Sequence, residues 1–194
     1  MKAKQRCQWC AGDDLYEQYH DQEWGVPLFD DDILFEFLIL EGAQAGLSWI
    51  TVLRKRDAYR QVFDGFNAKK LAKYSDAKLD KILLNPKIIR NRLKVYSVRQ
   101  NALAFLAMQH EFGSFSDYLW TTIEHKPIQN NWQSLSDLPA VTELSTALSK
   151  DLKKRGFNFV GPTIVYAFMQ ATGMVNDHTD KCFRQRECKK LACF

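Results

Sequence analysis

Cys7 and His20 lie near one end of the chain, and His178 and Cys182 near the other. Two thiolates with two imidazoles form a closed tetrahedral set for one zinc ion, with no open position for water or substrate, so the site is read as structural. His178 and Cys182 are one helical turn apart and can grip the same ion. Binding would clasp the N-terminal arm to the C-terminal tail and add to folding free energy. Cys7-Gln8-Trp9-Cys10 offers a rival set of Cys7, Cys10, His178 and Cys182 that leaves His20 free. Spacing leaves both sets open, together with a metal-free reading of buried thiols and a core histidine.

The second candidate is Glu41, in Leu40-Glu41-Gly42-Ala43-Gln44-Ala45-Gly46-Leu47-Ser48-Trp49. It follows an apolar helix directly, and a carboxylate is rarely buried there unless it is paired or functional. Gly42 and Gly46 are expected to break the helix and to let a ligand approach the backbone. A clasp would gather Trp9, Tyr16, Tyr19 and Trp24 near Glu41. Stacking faces and one carboxylate acceptor suit a planar base that offers an amino group. The plainer alternative is a solvated helix-end carboxylate beside ordinary core aromatics.

The third is the junction from Lys153 to Thr163, with Lys154, Arg155, Gly156, Gly161 and Pro162 between. One helix ends at Gly156, an apolar hairpin follows, and Pro162 suits the first turn of the next helix. The free N–H groups at that helix start favour an anion, and Lys153, Lys154 and Arg155 stand beside it. Such a corner fits a nucleic-acid phosphate and carries no base specificity. A packed helix corner with solvated basic residues is the other possibility.

The elements that must position these groups are helical from end to end, with no alternating segment long enough for a strand. Asp13 or Asp14 can cap a helix through His20, and Asp30, Asp31 and Asp32 supply the cap and first turn of the apolar run Ile33 to Leu40. Leu47 to Phe63 has helical spacing, with Arg54, Lys55, Arg56 and Arg60 for an outer face. Ser75 to Leu84 is a short helix stopped before Pro86. Ile89, Leu93, Tyr96, Leu103 and Leu106 trace one side of a long helix, and Ser114 to Trp120 adds another. Pro127 to Pro139 reads as a surface connection. Thr142 can cap a helix with the stripe Leu144, Ala147, Leu148 and Leu152. His110 and His125 stand in polar surroundings and read as surface residues.

The 194 residues, 46% hydrophobic and 26% charged, suit one soluble all-α domain with its own core, and exclude disordered and fibrous classes. The 27 basic and 23 acidic residues leave a net charge of +4, which permits nucleic-acid binding without requiring it. No apolar stretch approaches the ~20 residues of a membrane span, and the start lacks a secretory pattern, so a cytoplasmic protein is expected. Five cysteines at the chain ends, an odd number, argue against a disulfide framework.

Arg6-Cys7 to Trp9, Tyr19-His20-Asp21, Glu23 to Pro27, Glu41 to Leu53, Ile88-Ile89-Arg90, Lys153 to Gly161 and Asn176-Asp177-His178 together resemble the 3-methyladenine DNA glycosylase I family, a branch of the helix-hairpin-helix DNA glycosylases. The resemblance covers nearly the whole chain. It implies a single DNA glycosylase domain over 1–194 with a helical core and a zinc lobe from about 1–30 and 174–194. It implies a monofunctional base-excision repair hydrolase that flips 3-methyladenine out of double-stranded alkylated DNA, releases the free base and works as a monomer. By resemblance Cys7, His20, His178 and Cys182 hold one structural Zn2+, excluding Cys10. Glu41 and Tyr19 read the base, with Glu41 also placing negative charge at the reaction centre. Trp49 stacks on the base, Trp9, Tyr16 and Trp24 line the pocket, and Leu47 after Gly46 fills the gap left in the duplex. Lys154, Arg155, Gly156, Gly161 and Thr163 fall at the DNA-binding hairpin. This sequence departs from the pattern at Pro162, which removes one N–H from the phosphate corner, and in the extra Cys188 and Cys193. The larger superfamily uses an Asp just after the hairpin helix. Asp177, beside a ligand, is read instead as an orienting or capping residue.

Overall fold

A computed structural model describes residues 4–191; Cys193 lies outside them. Asp13 accepts from the Tyr16 N–H and starts α1 (Asp14–Gln22). Asp30 does the same for the Ile33 N–H at the start of α2 (Asp31–Gln44), which is buried on nearly every side from Leu34 to Ala43. A helix apolar all round belongs at the centre of a core. α2 does not break at Gly42 as expected, but continues to Gln44. Gly42 is needed for space: a Cβ there would lie 3.1 Å from Cβ of Phe159. The chain leaves the helix at Gly46, whose φ of +78° is open to glycine and strained for other residues.

The helix expected over Leu47 to Phe63 is two, α3 (Trp49–Leu53) and α4 (Arg56–Val62), with Leu47 in the loop before them. Arg56 does not join an outer face. It is buried over the Phe37 ring and pairs with Glu36 and Glu23. These acceptors come from distant segments, so no local pattern reveals the pairing.

Short helices α5 (Ala68–Leu71) and α6 (Asp76–Leu83) lead to the long α7 (Arg92–Phe112). The face of α7 differs from the expected one: Leu93 and Leu103 are exposed, and Val95, Val98, Ala102, Phe105 and Met108 enter the core. Both sets keep helical spacing, and packing against α2, α5 and α6 selects the second. α8 (Phe115–Thr121) follows. Among the described residues the strand expectation is corrected by one parallel pair of two-residue strands, β1 (Ile128–Gln129) and β2 (Val175–Asn176), too short to alternate visibly in sequence.

α9 (Glu143–Lys154) and α10 (Pro162–Ala171) pack on each other, and α10 also packs on α2. Of the expected α9 stripe, Leu148 and Leu152 are buried, Leu144 is half-buried, and Ala147 is exposed. Gly173 at φ +70° lets the chain after α10 cross the Val26-Pro27 backbone, where a Cβ would come within 2.3 Å. α11 (Phe183–Leu191) follows β2, and the Phe183 N–H at its start donates to the Gln5 carbonyl of the N-terminal arm at 2.9 Å. His110 and His125 are exposed, and no helix among the described residues is long and apolar enough to cross a membrane.

Candidate active site and metal cluster

Cys7, His20, His178 and Cys182 come together in the interior, all four buried, with their ligand atoms within 4.8 Å of one another. Cys182 Sγ stands 3.4 Å from His20 Nε2 and 3.5 Å from His178 Nδ1, and Cys7 Sγ stands 3.6 Å from His178 Nδ1. Tetrahedral zinc with Zn–S of about 2.3 Å and Zn–N of about 2.0–2.1 Å requires N···S edges of about 3.6 Å, which these three separations match. Both rings are oriented from behind. His20 Nδ1–H donates to Asp21 at 2.8 Å, and His178 Nε2–H donates to the Trp24 carbonyl at 3.1 Å, leaving the other nitrogens aimed at the sulfurs. Cys10 turns away from this set, and its thiol donates to the Cys7 carbonyl at 3.1 Å.

The cluster adjoins a cavity of about 180 Å³, lined by Trp9, Tyr16, Tyr19, Trp24, Glu41 and Trp49 among others. An apolar cavity of roughly 150 Å³ accepts a benzene ring, so this one holds a single small ring system. Tyr16, Tyr19 and His20 share the inward side of α1, at one-turn spacing. The Trp9 ring lies 4.8 Å from Tyr16, 5.1 Å from Trp24 and 5.3 Å from His20, so the ligand cluster and the pocket wall are one packed unit. Tyr19 and Trp49 touch at a tilted angle of 47°, with ring centroids 5.4 Å apart.

Glu41 enters the cavity from inside α2 and is 3% exposed, which removes the solvated helix-end alternative. Burial pushes its carboxyl up from 4.5 to about 8. A cation or donor entering the cavity would favour the charged form. Burial raises Tyr16 to about 12 and Tyr19 well above 10, so both phenols stay protonated donors at neutral pH.

Two segments of the wall were not read from the sequence. Leu135 and Leu138 belong to the Pro127–Pro139 connection, which folds over the cavity, and Gln170 comes from α10. Buried Asp177 holds both. It accepts from Asn130 Nδ2 and Trp132 Nε1 at 2.7 Å on one oxygen, and from Tyr166 Oη at 2.6 Å and Gln170 Nε2 at 2.7 Å on the other. A polar, turn-rich segment gives no local sign of becoming a wall; the four donors on one carboxylate fix it.

A groove of about 230 Å³ continues from Glu41 and Gln44 along Gly46 and exposed Leu47 to Thr163 and Ile164, in the first turn of α10. Gly156 (φ +97°) ends α9, Phe159 takes φ +56°, and Gly161 precedes Pro162 at the start of α10. Lys153, Lys154 and Thr163 are exposed around this hairpin. Arg155 is already engaged, with Glu111 and Asp151 each at 2.7 Å and its guanidinium over Phe112.

The protein is thus helical, with a buried carboxylate among aromatic rings in a cavity whose groove runs past an exposed leucine to the start of α10. The chain belongs to the methyladenine glycosylase family, whose profile matches residues 9–185. It is 50% identical over 177 residues to a DNA-3-methyladenine glycosylase of Haemophilus influenzae, covering 91% of this chain and 96% of that one. A crystal structure of 3-methyladenine DNA glycosylase I superposes with a TM-score of 0.90 at 49% identity, over 92% of this chain and 98% of the other. A point variant of a 3-methyladenine DNA glycosylase I in complex with 3-methyladenine matches at TM-score 0.90 and 36% identity, over 93% and 97% of the two chains.

Proposed function

We propose that the protein is a monofunctional DNA glycosylase of base-excision repair that hydrolyses the N-glycosidic bond of 3-methyladenine in double-stranded alkylated DNA. Family membership supports the activity, and buried Glu41 facing a cavity walled by aromatic rings carries the assignment of the site. N3-methylated adenine is positively charged and leaves readily. Water attacks C1′ of the sugar, the electron pair of the C1′–N9 bond neutralises the departing base, and the proton from water passes to solvent. No strong general acid is needed, so the protein's work is to extract the nucleotide, hold the ring and favour positive charge at the reaction centre.

In this reading Glu41 accepts from the exocyclic amino group and supplies the negative charge that the cationic ring attracts. Tyr19 donates to the base edge, Trp49 stacks on the ring, and Trp9, Tyr16 and Trp24 complete the walls. Leu47, carried on the turn at Gly46, enters the duplex where the base has left. The α9–α10 corner is a helix-hairpin-helix motif in which Gly156, Gly161, Lys154 and Thr163 meet a phosphate. Pro162 contributes no N–H there. Arg155 braces the hairpin through its acidic partners.

Cys7, His20, His178 and Cys182 would hold one zinc ion, which supplies structural rigidity when bound and takes no part in the bond-breaking step. Supporting this are the tetrahedral edge lengths and the ring contacts that tie His20 to Trp9 and His178 to Trp24. We read residues 1–194 as one domain, with the metal lobe from about 1–30 and 174–194. We read the protein as a monomer in the cytoplasm, and the compartment accords with the unpaired thiols at Cys7, Cys10, Cys182 and Cys188.

The test is incubation with alkylated duplex DNA, with and without a strong chelator, followed by identification of the released bases. Release of 3-methyladenine is expected. No release from folded, metal-loaded protein would leave only a DNA-binding module and overturn the reading. Immediate loss on chelation with the fold intact would make the metal catalytic instead of structural.

A further inference from the structure

α7 carries two polar side chains that serve distant loops. Half-buried Lys94 donates through Nζ to the carbonyls of Ala43 at 2.8 Å and Ala45 at 2.6 Å, at the C-terminal end of α2. Buried Asn101 grips the hairpin in two directions. Its Oδ1 accepts from the Asn158 N–H at 2.7 Å, and its Nδ2 donates to the Asn158 carbonyl at 3.0 Å. Seven residues along a helix span about 10.5 Å and return to within about 20° of the same face. One side of α7 therefore holds the loop carrying Leu47 at one point and the hairpin at another. The two held segments also meet directly, where Gly42 lies against Phe159.

Local stability does not call for a lysine at this place. Lys94 is in the first turn of α7, where the helix dipole disfavours a cation, and burial lowers its pKa. A methionine would fill the same space without either cost. What offsets them is the end of α2, whose last carbonyls lack helical partners and carry the negative end of its dipole. Similarly, an apolar residue at 101 would leave both polar groups of Asn158 without their partner.

We infer that Lys94 and Asn101 are positioning residues that fix, through α7, the separation between the Gly46-Leu47 loop and the 156–161 hairpin. A duplex gripped at the hairpin then presents its damaged nucleotide in register with Leu47 and the mouth of the cavity. The inference rests on the proposed glycosylase activity.

The experiment compares wild type, Lys94→Met, Lys94→Arg and Asn101→Ala as full-length proteins. Three quantities are read: single-turnover release of 3-methyladenine from alkylated duplex, affinity for free 3-methyladenine by tryptophan quenching, and Tm. Lys94→Met is expected to lose roughly ten- to a hundredfold in excision, the scale of a misplacement of about 1 Å, while free-base affinity stays within about twofold. Lys94→Arg keeps the donors and should recover most of the rate. The double variant Lys94→Met with Asn101→Ala should lose less than the product of the single effects, because both loosen the same spacing. Excision by Lys94→Met at the wild-type rate overturns the inference, as does a parallel loss of free-base affinity. If Asn101→Ala does not fold, the Lys94 pair decides alone. Wild type that releases no 3-methyladenine overturns the glycosylase reading first and this inference with it, which separates the two failures.

Discussion

Glu41→Gln tests the site most directly, because one substitution should raise stability and remove activity together. The carboxyl titrates at about 8 in the folded protein against an ordinary 4.5, the cause being burial. Below pH 4.5 the group is protonated folded and unfolded, and the stability it allows is fully present. As pH rises to 8 the unfolded chain ionises first and releases its proton, so stability falls across that window and levels off above it. At about 1.4 kcal/mol per pKa unit, the penalty reaches a ceiling of ~5 kcal/mol. Glutamine has nearly the same shape and never ionises. Melting curves of the two proteins from pH 4.5 to 9 should therefore coincide at the acid end and diverge with rising pH. At about 2–4 °C per kcal/mol for a chain of this size, the variant would melt roughly 10–20 °C higher at pH 9 if the full penalty applies. In parallel, kcat/KM of wild type should rise with pH toward about 8 as the carboxylate forms in the free enzyme, and the variant should excise poorly and bind free base weakly. Melting curves that stay parallel across the range would refute a buried, unpaired carboxyl. Full excision by Glu41→Gln would refute its role in the reaction.

Leu47→Ala should reduce excision from duplex DNA by about tenfold or more, the reach of a lost positioning contact, and leave free-base binding and Tm unchanged; equal loss of both binding modes would place Leu47 in the pocket instead. Gly173→Ala puts a Cβ 2.3 Å from the Val26 backbone at a φ of +70° and should cost several kcal/mol or yield insoluble protein; a Tm within 2 °C of wild type, about 1 kcal/mol or less, would contradict that close approach. Arg56→Met leaves Glu36 with Arg60 as its remaining partner and half-exposed Glu23 in solvent, and should destabilise by about 1.5–3 kcal/mol in denaturant titrations. A loss under about 1 kcal/mol would mean that this pair behaves as a solvent-exposed one.

The helix starts were legible because their signals are local. Asp13, Asp30, Ser75, Ser114 and Thr142 each accept from the backbone N–H three residues ahead, a distance the sequence displays directly. Faces were less legible. On α7 both the Leu93/Leu103 side and the Val95/Phe105 side keep helical period, and the neighbours that choose between them are many residues away. The break at Arg54-Lys55 and the uninterrupted helix through Gly42 are of the same kind, since Gly42 is held by contact with Phe159 and not by its own propensity.

The residue types able to do chemistry, and the ends of the chain that bear them, follow from the sequence alone: thiols and imidazoles at the termini, one carboxyl after an apolar run, and a glycine-bounded basic corner. The tertiary structure decided which of them meet. It placed His20 with the two sulfurs and turned Cys10 away, engaged Arg155 with Glu111 and Asp151, and drew Leu135, Leu138 and Gln170 around the cavity through Asp177. Helix caps span a few bonds, so their energy is written along the chain. Desolvation of Glu41 and the four-donor hold on Asp177 arise only when segments far apart exclude the same water, and that sum exists only in the folded molecule.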